Sequence, residues 1–155
     1  MRKMLMSFKP EIYQKIHNGV KIFEHRRNFP NEPVMVYMYV SKPVKQITGI
    51  VYLNNRHLLL DWQKEFSSDI KALHRIGEYL VSYRYAMEIS EFQETSSITL
   101  AELRRDLGNF TVPQSYCYLD KKPQLLAYIE KKIKPNGIQI FHDFSDIRSS
   151  QICVH

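Results

Sequence analysis

Hydrophobic positions along the chain fall into runs of two periods, and their order predicts a strand-rich first third followed by helices. Leu5 to Phe8 reads as a short strand. Pro10 suits the first turn of a helix, where its missing N–H would have had no partner, and Ile12, Tyr13 and Ile16 recur at helical spacing. Asn18-Gly19 ends that helix, because glycine tolerates the left-handed conformation. A second strand runs from Lys21 to about Arg27. Alternation puts Ile22, Glu24 and Arg26 on one face and Lys21, Phe23, His25 and Arg27 on the other. Neither face is purely apolar, and His25, Arg26 and Arg27 are costly to bury in a core strand. After a loop rich in proline and asparagine, Val34 to Val40 is an almost unbroken β-forming run, the strongest core strand. Ser41-Lys42-Pro43 interrupts it. Gln46 to Leu53 follows as a strand, with Gly49 marking a bulge or bend.

From Asp61 to Ser82 the pattern turns helical, with Trp62, Phe66, Ile70, Leu73, Ile76 and Leu80 at spacings of three and four. Ser67-Ser68-Asp69 predicts a break into two helices, a serine capping the second. Arg84 to Phe92 returns to β character. Thr99 followed by Glu102 has the spacing of a capping box at the start of a short helix. Phe110 to Tyr116 reads as a loop, Pro123 to Lys134 as an amphipathic helix with Leu125, Leu126 and Ile129 inward, and Ile138 to Phe144 as a final strand before a loosely held end. No strand–helix alternation signals a doubly wound sheet, and there is no repeat or linker. The prediction is one α+β domain over residues 1–155, a small bent β-barrel with flanking helices.

Charge sharpens this picture. The chain has 22 Lys and Arg against 16 Asp and Glu, a formal net charge of +6. Residues 1–60 hold 10 basic against 3 acidic side chains (net +7), and residues 61–155 hold 12 against 13 (net −1). The positive excess therefore lies in the half that carries the charged strand, which favours a polyanion such as nucleic acid as partner. No apolar run approaches the roughly 20 residues that span a bilayer. The first residues lack a signal-like apolar region, so the expected location is cytoplasmic. Cys117 and Cys153 are expected to be reduced, and neither they nor the six histidines show metal-ligand spacing, so no metal and no cofactor are expected.

The stretch "FKPEIYQKIHNGVKIFEHRR" resembles the opening of ASCH domains, members of the PUA-like superfamily. The pattern Gly-x-Lys-x-x-Glu-x-Arg falls on Gly19, Lys21, Glu24 and Arg26. The similarity continues through "VMVYMYVSKPVKQITGIVYL", "YAMEIS" and "TLAELRRDLGNFTVPQSYCYL", in order, over a core of about residues 4–120, leaving a C-terminal helix and tail at about 121–155. The resemblance implies a PUA-like barrel of five or six strands with a cleft beside the first helix and second strand. It also implies RNA binding or, in some members, hydrolysis of modified nucleosides or of RNA. The amidohydrolase branch has a threonine nucleophile three residues after the motif lysine. This chain has Glu24 there, an unsuitable substitute for an alkoxide.

The leading expectation is a nucleic-acid-binding domain, RNA before DNA, that uses a basic cleft. Lys9, Lys15, Lys21, Arg26, Arg27 and Lys42 form its electrostatic footprint, and neutralising six phosphates would give a log–log salt slope of roughly −4. Glu24 orients Arg26 or accepts from a base or sugar edge. Ser41 and Lys42 suit a phosphate, and Gln114 and Ser115 suit a base edge. Most strand tyrosines, including Tyr37, Tyr39, Tyr52, Tyr83 and Tyr85, are assigned to the barrel wall. One rival is a small hydrolase acting on a modified nucleoside or on RNA, with Lys21 and Glu24 as acid–base pair. The other is a protein-interaction domain whose basic face meets an acidic partner.

Overall fold

The structure, a computed structural model, describes residues 1–155. One mixed sheet of seven strands organises it. In chain order the strands are β1 (Arg2–Phe8), β2 (Phe23–Arg26), β3 (Val34–Val40), β4 (Gln46–Leu58), β5 (Tyr85–Thr99), β6 (Tyr116–Tyr118) and β7 (Pro135–Phe141). Their order across the sheet is β2-β5-β4-β3-β1-β6, with β7 also pairing β5, and only β1–β3 is parallel. The sheet curls into a half-barrel and does not close, so β2 and β6 are its ends. That differs from the five or six strands implied by the ASCH resemblance.

Five helices flank the sheet: α1 (Pro10–His17), α2 (Leu59–Glu65), α3 (Ile70–Leu80), α4 (Leu100–Leu107) and α5 (Pro123–Lys132). Alternate residues of the central strands feed two cores. Met4, Met6, Phe8, Val34, Val36, Met38 and Val40 pack with Tyr13 and Ile16 of α1. Leu5, Tyr37, Tyr39 and Ile47 pack with Leu103 of α4 and with Leu125 and Ile129 of α5. The unbroken apolar run of β3 is thus explained by burial on both faces. Leu126, expected inward, is only half-buried. A third core gathers Phe23, Leu59, Trp62, Ile76, Ile152 and Cys153, and joins α2 and α3 to the chain's last residues.

Local chemistry sets the boundaries. Pro10 opens α1, and the Gly19 N–H donates to the Ile16 carbonyl at φ +83°. Gly49 has φ +90° at a register shift of β4; a Cβ there would sit 3.0 Å from the Phe92 ring and 3.3 Å from both Met38 Sδ and Tyr13. Thr99 and Glu102 form both halves of the capping box. The cap of α3 is Asp69, which accepts from Ala72 N–H at 3.1 Å, and not a serine. The charged second strand is shorter than its pattern, four residues, and β4 and β5 run longer. The tail is firmly held, contrary to expectation: Ile152 and Cys153 are buried. No helix is long and apolar enough to cross a membrane.

Candidate functional site

The candidate site is the gap between the sheet's edge strand β2 and strand β1. The Lys21 N–H donates to the Lys15 carbonyl at 3.0 Å, which ties the turn after α1 back onto the helix and sets the lysine beneath it. The chain then enters β2, which pairs only with β5 and leaves its other edge toward β1. Arg26 spans the opening. Its Nη2 donates to the Ser7 carbonyl of β1 at 3.0 Å, and its Nη1 donates to Ser115 Oγ, just before β6, at 3.2 Å.

Glu24 is the hub of this cluster. Its carboxylate accepts from Arg26 Nη2 at 3.0 Å and from Arg26 Nε at 3.3 Å, and lies 3.7 Å from Lys21 Nζ. One buried carboxylate thus serves two cations, which supplies the partner that burial of Glu24 demands. Lys21, Glu24 and His25 are all less than a tenth exposed. Burial lowers the Lys21 pKa from its ordinary value, and Glu24 opposes the shift. Lys21 Nζ lies 3.4 Å from His25 Nδ1. An ammonium only donates, so Nδ1 acts as acceptor and the imidazole proton sits on Nε2. Burial, reinforced by Lys21, holds the His25 pKa well below its ordinary value, so the ring is neutral at pH 7. His25 Nε2 is buried with no hydrogen-bond partner in the chain.

These groups line a cleft of about 700 Å³. Ser7, Phe8, Lys9, Glu11 and Ile12 come from β1 and α1, and Lys21, Glu24, His25 and Arg26 from the β2 segment. Ser41 and Gln114 sit on the rim, with Glu78, Tyr79 and Tyr83 from the end of α3, and His155 from the tail. The His25 ring packs edge-on to Tyr79 at 4.8 Å and lies 5.9 Å from Tyr83.

Sequence reasoning placed Lys9, Lys21, Glu24, Arg26, Ser41 and Gln114 at one site, and the fold brings all six to this cleft. Ser115 joins through Arg26. Lys15, Arg27 and Lys42 do not line it; Arg27 and Lys42 are exposed elsewhere. The lining is not predominantly basic either, since Glu11, Glu24 and Glu78 balance Lys9, Lys21 and Arg26. His25 faces the cleft together with Glu24, because alternation places only the four residues of β2 and the strand lies at an edge. Tyr83 lies in the turn after α3 and not in a barrel strand. The helical spacing of Tyr79 and Tyr83 was the signal available for that lip, whereas nothing local in the sequence points to His155. No cluster of three or more His, Cys, Asp or Glu side chains could hold a metal ion.

No family model matches the chain. A curated protein from Zymomonas mobilis, named ASCH domain-containing ribonuclease, is 24% identical over 128 residues, covering 78% of this chain and 86% of its own. A crystal structure of ASCH from Zymomonas mobilis superposes with a TM-score of 0.60 at 21% identity, over 86% of this chain and 97% of that one. A serine-to-alanine mutant of the same protein gives 0.60 over 82% and 96%. A tyrosine-to-phenylalanine mutant gives 0.57 over 82% and 98%. The half-barrel, its helices and the ordered sequence likeness agree, and this chain has the fold of the Zymomonas ASCH structures.

Proposed function

We propose that the cleft binds single-stranded RNA and receives one unstacked nucleotide at its centre. The observation that carries this reading is the buried Lys21–Glu24–Arg26 cluster on the cleft floor with Tyr79 and Tyr83 on its lip. Lys21, Arg26 and Lys9 meet phosphate or sugar oxygens. The tyrosines offer a face on which any base stacks, while Ser41 and Gln114 offer hydrogen bonds to its edge. A duplex keeps its bases stacked and cannot use such a lip. The ribonuclease name of the Zymomonas relative supports RNA over other anions. Fluorescence anisotropy with a labelled six-nucleotide RNA and its duplex tests the reading. Preference for the single strand supports it, and equal or absent binding at low salt overturns it.

A second reading is hydrolysis of RNA or of a modified nucleoside. The observation favouring it is the buried Lys21 amine, its pKa lowered by burial, 3.4 Å from Nδ1 of a neutral imidazole, a donor–acceptor pair of the kind acid–base chemistry uses. Incubation of the protein with end-labelled RNA and, separately, with acetylated cytidine distinguishes the two. Unchanged substrates leave binding alone.

A further inference from the structure

Residues 149–155 cross the molecule as a strap with a firmly held base and a lightly held tip. The base is secured by side chains from α3 and its cap. Arg75 donates through Nη2 to the Ser149 carbonyl at 2.7 Å and through Nε to the Ile152 carbonyl at 3.3 Å. The Ser149 hydroxyl donates to the Asp69 carboxylate at 2.7 Å. Ile152 and Cys153 then bury themselves against Phe23, Trp62 and Ile76. At Cys153 the backbone turns through φ +53°. Beyond it Val154 and His155 are exposed, and the tip is fastened by one bond, from Lys21 Nζ to the His155 main-chain oxygen at 2.7 Å.

We propose that this strap is an intramolecular competitor: the His155 oxygen occupies the position on Lys21 that a ligand's anionic oxygen takes, and binding in the cleft requires the tip to leave. Three features fit displacement. The occupying group is an oxygen carrying partial negative charge, as a phosphate oxygen does. Its partner Lys21 is the buried cation of the cleft, held also by Glu24. The tip has no fully buried apolar side chain, Val154 being 38% exposed, and its release breaks one charge-assisted hydrogen bond, while Ile152 and Cys153 keep the strap's base in place. Coupling is reciprocal: whatever holds the tip down weakens ligand binding, and ligand frees the tip.

The identity of the ligand rests on the RNA reading, but the occlusion of Lys21 does not, and the test separates them. A chain shortened to end at Cys153 is compared with the full chain in two measurements. The first is the rate of Lys21 acetylation by acetic anhydride, followed by peptide mass spectrometry. The second is affinity for a six-nucleotide single-stranded RNA. The proposal expects several-fold faster acetylation and RNA binding about five- to tenfold tighter, the loss of one competing charge-assisted contact. Faster acetylation with RNA bound by neither chain supports the strap and removes the RNA reading. An unchanged acetylation rate overturns the strap, and so does weaker RNA binding by the shortened chain, which would make His155 part of the binding surface. In the full chain, the His155 NMR signals should shift on RNA addition toward those of a free tail, a readout that needs no variant. If they stay fixed while RNA binds, the strap is overturned.

Discussion

At the scale of single residues, the site is governed by how few partners its buried charges have. Glu24 is the only carboxylate that pairs with either Lys21 or Arg26, so replacing it leaves two cations, one of them almost fully buried, without an anion. Glu24→Gln should therefore destabilise the fold by about 3–5 kcal/mol, read from urea midpoints, the penalty for breaking a buried pair from one side. A loss under about 1 kcal/mol would show that solvent supports the cluster. His25 makes stability depend on pH. Its native pKa lies well below 6.5, so as pH falls through the unfolded value the unfolded chain takes up a proton that the native chain refuses. Stability from His25 is complete above about pH 7 and falls below 6.5, by up to about 1.4 kcal/mol per pH unit. His25→Phe should flatten that part of the stability–pH curve, and an unaltered slope between pH 7 and 5 would exclude His25 as its source. Lys21, Glu24 and Arg26 were legible in the sequence because charge inside a strand has few structural uses. The cleft position of His25 was not, because strand alternation does not decide which side chains reach an open sheet edge.

At the scale of elements, the helices and strands were legible where their chemistry is local. The capping box of α4 rests on Thr99 and Glu102 alone, and both bonds are present. Thr99→Ala should cost about 1 kcal/mol. At the break before α3 the pattern offered two serines and an aspartate, and Asp69 takes the cap while also accepting from Ser149. That second contact is long-range, so no local pattern announces it. Gly49 carries both a positive φ and a crowded wall of Phe92, Met38 and Tyr13. Gly49→Ala should therefore destabilise by about 1–3 kcal/mol, measured by thermal or urea unfolding, and a neutral result would mean that β4 relaxes at its bulge. The α2–α3 pair sits between β4 and β5 and delivers Tyr79 and Tyr83 to the cleft. Helical spacing predicted these helices, but which end meets the cleft is set by how the third core packs.

At the scale of the whole molecule, the uneven charge of the chain does not translate into a basic cleft. Six cations were expected at one footprint; three line the cleft, faced by three acidic side chains. Sequence charge counts residues, whereas the fold sends Arg27 and Lys42 to other surfaces and brings Glu78 in from α3. With three cations at the cleft, the log–log salt slope for single-stranded RNA should be no steeper than about −2, half the roughly −4 of a six-phosphate footprint. The half-barrel explains why the cleft lies where it does: the sheet stops at β2, and Arg26 of the charged strand bridges the opening to β1. The measurement that tests this account most directly is the affinity for a six-nucleotide single-stranded RNA of the wild type, Lys21→Met and Arg27→Ala, each with its unfolding midpoint checked. The account predicts a loss of about tenfold or more for Lys21→Met and a change under about twofold for the exposed Arg27→Ala. Equal losses from both, or none from Lys21→Met, would contradict it.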